Sequence, residues 1–115
     1  SSWKAIVEKK ALSYNGLSLD MSDVDIVVYN ATWCPDCERE TTELMALLMS
    51  MKDKAPKVKL ISYEDKIWYK EHKSDLPILG VPTFMFYRNE RLLGQIVERS
   101  EENLLDNIQR IIRKS

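Results

Sequence analysis

Apolar residues recur three or four positions apart in four stretches of the chain, a spacing typical of helices. The stretches are 2–12, 35–52, 65–73 and the segment after Ser100. The residues predicted to face the core are, in turn, Trp3, Ile6, Val7 and Ala11; Leu44, Leu47, Leu48 and Met51; Ile67, Trp68 and His72; and Leu104, Leu105, Ile108, Ile111 and Ile112. Ser100 is the predicted N-cap of the last helix, because Glu101 and Glu102 follow in a first turn that favours acids.

Runs of β-branched and aromatic residues predict four strands, at 26–29, 58–63, 83–87 and 92–97. The first run is continuously apolar, which is the pattern of a strand buried on both faces. The last two runs flank Arg88-Asn89-Glu90-Arg91 and predict a β-hairpin. Leu17, Leu19 and Met21 alternate with polar residues and fit either a short edge strand or an extended loop.

The elements follow one another as helix, strand, helix, strand, helix, strand, strand, helix. A parallel pair of strands needs a crossover such as a helix, whereas the last two strands can pair through a tight turn. We therefore expect an α/β fold with a central mixed sheet of four or five strands and helices on both faces. A single domain over residues 1–115 is expected, with its core at about 25–113 and an N-terminal helix at about 2–12.

Composition narrows the class of protein. A chain of 115 residues with 44% hydrophobic residues can bury roughly two-thirds of its unfolded surface, so it needs no metal or disulfide to fold. A net charge of −1, with basic residues scattered among acids, predicts neither nucleic acid nor an anionic membrane surface as a partner. No apolar run approaches the length of a membrane span. We expect a monomer.

The two cysteines, Cys34 and Cys37, are separated by two residues. A structural disulfide stabilises most when it closes a long loop, so a four-residue ring indicates redox chemistry instead. Cys34 falls between a buried strand and a helix start, where free N–H groups and the helix dipole favour the reactive thiolate. Pro35 suits the first helical turn, since it has no N–H to leave unpaired. Cys34 is thus the predicted nucleophile, and Cys37 the thiol that resolves the mixed disulfide.

A zinc site is the first alternative for such a pair of cysteines. Structural zinc is usually held by four ligands. In addition to the two cysteines the sequence has a single histidine, His72. His72 is therefore interpreted as a surface or helix-packing residue. We expect no metal and no bound cofactor.

The sequence becomes more specific around the dithiol. Trp33-Cys34-Pro35-Asp36-Cys37 follows a strand, and Gly80-Val81-Pro82-Thr83 precedes a hairpin and a terminal helix. This arrangement resembles the thioredoxin superfamily. In that family the proline at the place of Pro82 follows a cis peptide bond and lies against the dithiol, where its loop pairs with the substrate backbone. The resemblance implies a thioredoxin fold, catalysis by Cys34 and Cys37, and substrate binding by Trp33, Pro35, Asp36, Val81 and Pro82.

The chain departs from the family pattern at the position of the proton-transfer acid. Thioredoxins carry a buried acid six residues before the first cysteine, and Val28 stands there instead. Proton transfer from the resolving thiol must then use water or another group, for which Glu38 and Glu40 are candidates. Lys59 falls near the place where thioredoxins often have a lysine beneath the dithiol.

A second departure lies inside the motif, where Asp36 places an anion next to Cys34. Like-charge repulsion should destabilise the thiolate, which favours the disulfide form and hence a reductant over a strong oxidant. The W-C-P-D-C string is found in small thioredoxin-related proteins with narrow substrate choice. Glu98 and Arg99 stand where thioredoxins tend to have small residues, so they either restrict access and set a charge preference or are ordinary strand-end charges.

Glutaredoxins are the nearer rival family, because their motif also begins with Cys-Pro. Their next residue is usually aromatic, and a Gly-Gly after the hairpin binds glutathione. Asp36 and Glu98-Arg99 stand at those places here, so no glutathione site is expected.

The resulting hypothesis is a thiol–disulfide oxidoreductase that reduces protein or small-molecule disulfides and receives electrons from a thiol reductase or another dithiol protein. The alternatives are a redox-sensing binding module with the same fold, and an exported disulfide oxidase or isomerase. The N-terminus carries no apolar signal-peptide segment, and there is no cysteine beyond the active pair. We expect a cytoplasmic protein, with a periplasmic or exported location after removal of a signal peptide as the alternative.

Overall fold

The computed structural model describes residues 2–14 and 18–114, without the side chains of Ser2 and Trp3. Its helices and strands are α1 (Ser2–Leu12), β1 (Asp25–Asn30), α2 (Pro35–Met51), β2 (Lys57–Ser62), α3 (Lys66–His72), β3 (Thr83–Arg88), β4 (Arg91–Val97) and α4 (Leu104–Ile112). Single 3-10 turns follow α2 at Lys52–Lys54 and α3 at Lys73–Asp75. The order of elements is the predicted one.

Within these described ranges the sheet has four strands in the order β2-β1-β3-β4. β1 pairs parallel with β2, and α2 makes the crossover between them. β1 and β4 both pair antiparallel with β3, which makes the sheet mixed. Asn89 and Glu90 form the hairpin turn with φ angles of 51° and 66°, the left-handed geometry that matches the twist of paired strands. The predicted mixed α/β fold is confirmed.

Alternation along the strands sends side chains to two apolar clusters, one on each face of the sheet. Ile26 and Val28 of β1 belong to the first cluster, together with the predicted inward face of α2 and most of that of α4. Val27 and Tyr29 pack on the second cluster, which contains Cys37. The sheet therefore separates the main core from the cluster that surrounds the dithiol.

The predicted inward face of α3 is wrong. Ile67 and Trp68 are 72% and 42% exposed, whereas Tyr69 is 4% exposed and belongs to the second cluster. The helix has only seven residues and begins at Lys66, so little of its surface can face the sheet. His72 stacks on the Trp68 ring at 4.2 Å, which makes it a partner of that half-exposed side chain.

The predicted N-cap of α4 is also wrong. Asn103 caps the helix, because its side chain accepts a hydrogen bond from the N–H of Asp106. Ser100 lies three residues earlier, and both its N–H and its hydroxyl donate to the Glu40 carboxylate. Glu101 and Glu102 precede the helix and pair with Arg110.

The segment before β1 is an extended loop at 18–21 and not an edge strand. Met21 is fully buried in the main core, and its N–H donates to the Lys54 carbonyl at 2.9 Å. In α1, Val7 is buried as predicted, but Ile6 is 47% exposed. Leu17 and the side chain of Trp3 lie outside the described residues.

Candidate active site

The loop after β1 places Cys34 at the N-cap of α2. Its backbone is extended, and its sulfur accepts a hydrogen bond from the N–H of Cys37 at 3.3 Å. Pro35 is the first residue of the helix, where its missing N–H has no cost. Cys34 is half-buried and Cys37 is 1% exposed, so only the first cysteine is open to a large substrate. Both cysteines are free thiols.

The loop before β3 reaches the dithiol from the other side of the site. The peptide bond between Val81 and Pro82 is cis, as the resemblance implied. The thiol of Cys34 donates to the Val81 carbonyl at 3.5 Å. The loop is tied down by the Thr83 hydroxyl, which donates to the Gly80 carbonyl at 2.6 Å, and by the Glu98 N–H, which donates to the Pro82 carbonyl at 2.7 Å.

Trp33 is half-buried next to Cys34 in the chain. Its indole N–H donates to the Tyr63 carbonyl at 2.9 Å, and its ring lies 5.3 Å from that of Tyr69. The Lys66 ammonium lies 5.7 Å from the centre of the indole. These contacts hold the ring in place while part of its surface stays accessible next to Cys34.

The environment of Cys37 favours its protonated form. Burial is the main cause that raises its pKa to about 12, followed by its hydrogen bond with the Cys34 side chain. A backbone hydrogen bond with Ala31 acts in the opposite direction. The negative charges of Cys34 and Asp36 add smaller increases to the pKa of Cys37. At neutral pH Cys37 therefore keeps its proton until the surroundings change.

Asp36 lies at the surface, and its charge is partly compensated. Its carboxylate accepts a hydrogen bond from Arg39 at 2.8 Å and lies 4.0 Å from the Arg99 guanidinium. The two cations weaken the repulsion between Asp36 and a thiolate at Cys34. The repulsion is therefore weaker than an unpaired anion at Asp36 would cause.

The candidates for proton transfer differ in position. Val28 lies in the main core, in a different cluster from Cys37. Glu40 binds Arg39 and Ser100 and is not among the residues that line the cleft next to Cys37. Glu38 does line that cleft, which has a volume of about 480 Å³ and runs from Cys37 to Leu60 on β2.

Lys59 does not take the place that the alignment suggested. Its side chain is exposed on β2, and it does not line the cleft beside Cys37. Lys66 is instead the lysine near the site, through its contact with Trp33.

Sequence reasoning missed Tyr69 as a residue of this site. Its ring packs among Cys37, Val81 and Ile78, and its hydroxyl is buried without a hydrogen-bond partner among the described residues. Burial, and then the charges of Glu98, Cys34 and Cys37, raise the pKa of Tyr69. The sequence pattern did not predict its burial, because a single buried position in a seven-residue helix produces no apolar periodicity, and its apolar neighbours Ile67 and Trp68 are exposed.

No group of three or more His, Cys, Asp or Glu side chains within residues 2–14 and 18–114 is arranged to hold a metal ion. No helix in the same part of the chain is long and apolar enough to cross a membrane.

A C-x-x-C pair at a helix N-cap, facing a cis-proline loop on a mixed sheet, defines the class of thioredoxin-fold proteins with a C-x-x-C dithiol. A family model described as Thioredoxin matches residues 5–110. The chain therefore belongs to the thioredoxin family.

Solved structures show the same fold at low sequence identity. Trxlp from Edwardsiella tarda is 16% identical with a TM-score of 0.54, and the match covers 93% of this chain and 89% of that one. The germline-specific thioredoxin Deadhead from Drosophila melanogaster is 24% identical with a TM-score of 0.53, over 77% and 80% of the two chains. Fasciola hepatica thioredoxin is 18% identical with a TM-score of 0.53, over 83% and 84%. None of the curated proteins compared with this chain matches it.

Proposed function

We propose that this protein reduces disulfide bonds in proteins or small molecules. The observation that carries the proposal is the position of Cys34, half-buried at the N-cap of α2 and 3.5 Å from the Val81 carbonyl of the cis-proline loop. Cys37 lies behind it, out of contact with solvent. This asymmetry suits a pair in which one thiol attacks and the other resolves.

The reaction proceeds in two exchanges. The Cys34 thiolate attacks one sulfur of the substrate disulfide, a new S–S bond joins protein and substrate, and the other substrate sulfur leaves as a thiolate. Cys37 then loses its proton and attacks the Cys34 sulfur, which releases the second substrate sulfur. The substrate gains two electrons and two protons, and the protein is left with a Cys34–Cys37 disulfide. A thiol reductase or another dithiol protein returns two electrons to that disulfide.

The high pKa of Cys37 fits this order of events. Two of the causes that raise it, the hydrogen bond with Cys34 and the charge of Cys34, depend on the free nucleophile. Both are lost when Cys34 enters the mixed disulfide, so the resolving thiol ionises more readily at the step that needs it. Its proton leaves into the cleft beside it, and Glu38, the one carboxylate in the lining of that cleft, is the proposed acceptor in place of the acid that is absent at Val28.

Substrate contacts follow from what surrounds Cys34. The indole of Trp33, the ring of Pro35 and the cis-proline loop at Val81 and Pro82 form the proposed apolar rim around the nucleophile, and Asp36 adds a charge at its edge. A disulfide that reaches Cys34 must pass over these residues, so changes in them should alter the apparent affinity for substrate more than the chemistry.

The test is the reduction of insulin disulfides with dithiothreitol as the electron donor. The wild-type protein should accelerate precipitation of the insulin B chain beyond dithiothreitol alone, and Cys34→Ser should abolish the acceleration. Cys37→Ser should instead accumulate a mixed disulfide that mass spectrometry detects. If the wild-type protein gives no acceleration, while its oxidation state alters binding to partner proteins, a redox-sensing role replaces the enzymatic one.

A further inference from the structure

Glu98 stands next to the cis-proline loop in an unusual backbone conformation. It follows the last residue of β4, Val97, and has a φ of 65°, in the left-handed region that disfavours residues other than glycine. Its N–H donates to the Pro82 carbonyl at 2.7 Å. The backbone at Glu98 is thus fixed against the loop that faces Cys34.

The side chain of Glu98 turns over that loop. Its Oε1 atom lies 2.7 Å from the place that a Cβ on residue 80 would occupy, so the carboxylate covers Gly80 and uses the space left by the missing side chain. Glu98 is also the charge with the largest effect on Tyr69, ahead of Cys34 and Cys37. The carboxylate therefore lies close to Gly80 and within electrostatic range of the ring that packs on the dithiol.

The other charges near the dithiol are partly balanced or lie elsewhere. Asp36 is paired with Arg39 and approached by Arg99. Lys66, the first residue of α3, lies over the Trp33 ring, and Glu38 lines the cleft next to Cys37. Glu98 is exposed to solvent and forms no ion pair with any residue that the structure describes. The Glu98 carboxylate therefore lies beside the cis-proline loop and is available to pair with a cation on a substrate.

We propose that Glu98 selects substrates that carry a lysine or arginine next to the cysteine attacked by Cys34. The inference rests on the proposed reductase function and names its substrate class. A cation brought to an exposed carboxylate is attracted by a modest energy that falls with salt, and an anion is repelled by a similar amount. We expect a preference of about tenfold in the rate of reduction for a basic over an acidic substrate at low ionic strength.

The experiment uses three disulfide-linked peptides that differ only in the residue next to the reacting cysteine, which is Arg, Gln or Glu. The second-order rate of reduction by the reduced protein is measured for each. For the wild-type protein the order Arg > Gln > Glu is expected. In Glu98→Gln the ratio of the Arg rate to the Glu rate should fall to about twofold or less, and added salt should reduce the wild-type ratio in the same direction.

Two further variants separate charge from backbone geometry. Glu90→Gln is the matched control, because Glu90 is also a carboxylate with a left-handed φ, of 66°, but lies in the hairpin turn at the opposite end of β3 and β4. This control should keep the wild-type ratio. Glu98→Gly removes the charge and the unfavourable backbone conformation together, and it should lower the ratio as far as Glu98→Gln does.

Four outcomes overturn the inference. Equal rates for all three peptides with the wild-type protein refute the charge selection, while the proposed function stands. An unchanged ratio in Glu98→Gln, or an equal loss in Glu90→Gln, assigns any selection to other groups. If no peptide is reduced at all, the proposed function fails and the selection fails with it.

Discussion

Replacing Cys34 by serine should lower the pKa of the buried thiol at Cys37. The pKa of Cys37 is raised to about 12, chiefly by burial and then by the hydrogen bond with Cys34, and the Cys34 charge adds a further increase. At pH 7 a thiol with this pKa is ionised in about one molecule in 100,000. The variant removes the negative charge of Cys34 and replaces its sulfur by a hydroxyl, which can donate a hydrogen bond to the Cys37 thiolate, and it leaves the burial of Cys37 unchanged.

The size of the change follows from the interactions that are lost. A hydrogen bond to a charged group contributes about 1.5–3 kcal/mol, which corresponds to roughly one to two pKa units. We expect the pKa of Cys37 in Cys34→Ser to fall to roughly 10–11 and to remain above the ordinary value of a cysteine, because burial persists. The ionised fraction at neutral pH then rises about tenfold to a hundredfold, which is the gain that the resolving step would receive.

The assay is a pH titration of the ultraviolet thiolate absorbance of Cys34→Ser, compared with the second ionisation of the reduced wild-type protein. Asp36→Asn is a suitable control, because the charge of Asp36 is the smallest of the causes that raise the pKa of Cys37 and its removal should change little. An unchanged pKa of about 12 in Cys34→Ser would refute the coupling between the two thiols. A pKa at the ordinary cysteine value would refute the dominant effect of burial.

Three further predictions concern stability. Tyr69→Phe removes a buried hydroxyl that has no hydrogen-bond partner among the described residues. In chemical denaturation the free energy of unfolding should therefore stay the same or rise by up to about 1 kcal/mol. A fall of more than about 1 kcal/mol would mean that the hydroxyl is hydrogen-bonded in solution. Gly94→Ala should destabilise the protein by about 1–3 kcal/mol in chemical denaturation, because the new Cβ would lie 3.1 Å from Cγ2 of the buried Ile111; an unchanged stability would contradict this close approach. The pKa of Tyr14 is raised to about 12 by burial and by its hydrogen bond with Glu43. Its contribution to stability is therefore full below about pH 10 and is lost as the pH rises to about 12. Tyr14→Phe should flatten that part of the alkaline stability profile, and an unchanged profile would contradict the assignment.

The sequence was sufficient for the fold and for the identity of the dithiol. The continuous apolar run at 26–29 marks β1 as a central strand, and the helical stripe at Leu44, Leu47, Leu48 and Met51 is buried as predicted. The C-x-x-C spacing between a strand and a helix leaves few other arrangements for Cys34. These features depend on local periodicity and on the geometry of a helix start, which are both visible in the chain.

The features that the sequence did not reveal depend on distant neighbours. Asn103 rather than Ser100 caps α4, and Ser100 instead donates a hydrogen bond to Glu40, a residue of another helix. Tyr69 is buried because the Trp33 ring and the second cluster lie over it, and no spacing within α3 announces this. The place of Glu98 beside the cis-proline loop follows from its left-handed φ angle and from its approach to Gly80, which is 18 positions away in the chain.

The equilibrium redox potential of the Cys34–Cys37 pair distinguishes the proposed reductant from an oxidant. A dithiol is strongly oxidising when its reduced form is stabilised, whereas Cys37 gains no thiolate at neutral pH because burial is the main cause that raises its pKa to about 12. Equilibration of the protein with known ratios of reduced and oxidised glutathione gives the potential. We predict a value close to that of reducing dithiol proteins, about −270 mV. A value close to that of disulfide-forming oxidants, about −120 mV, would contradict it.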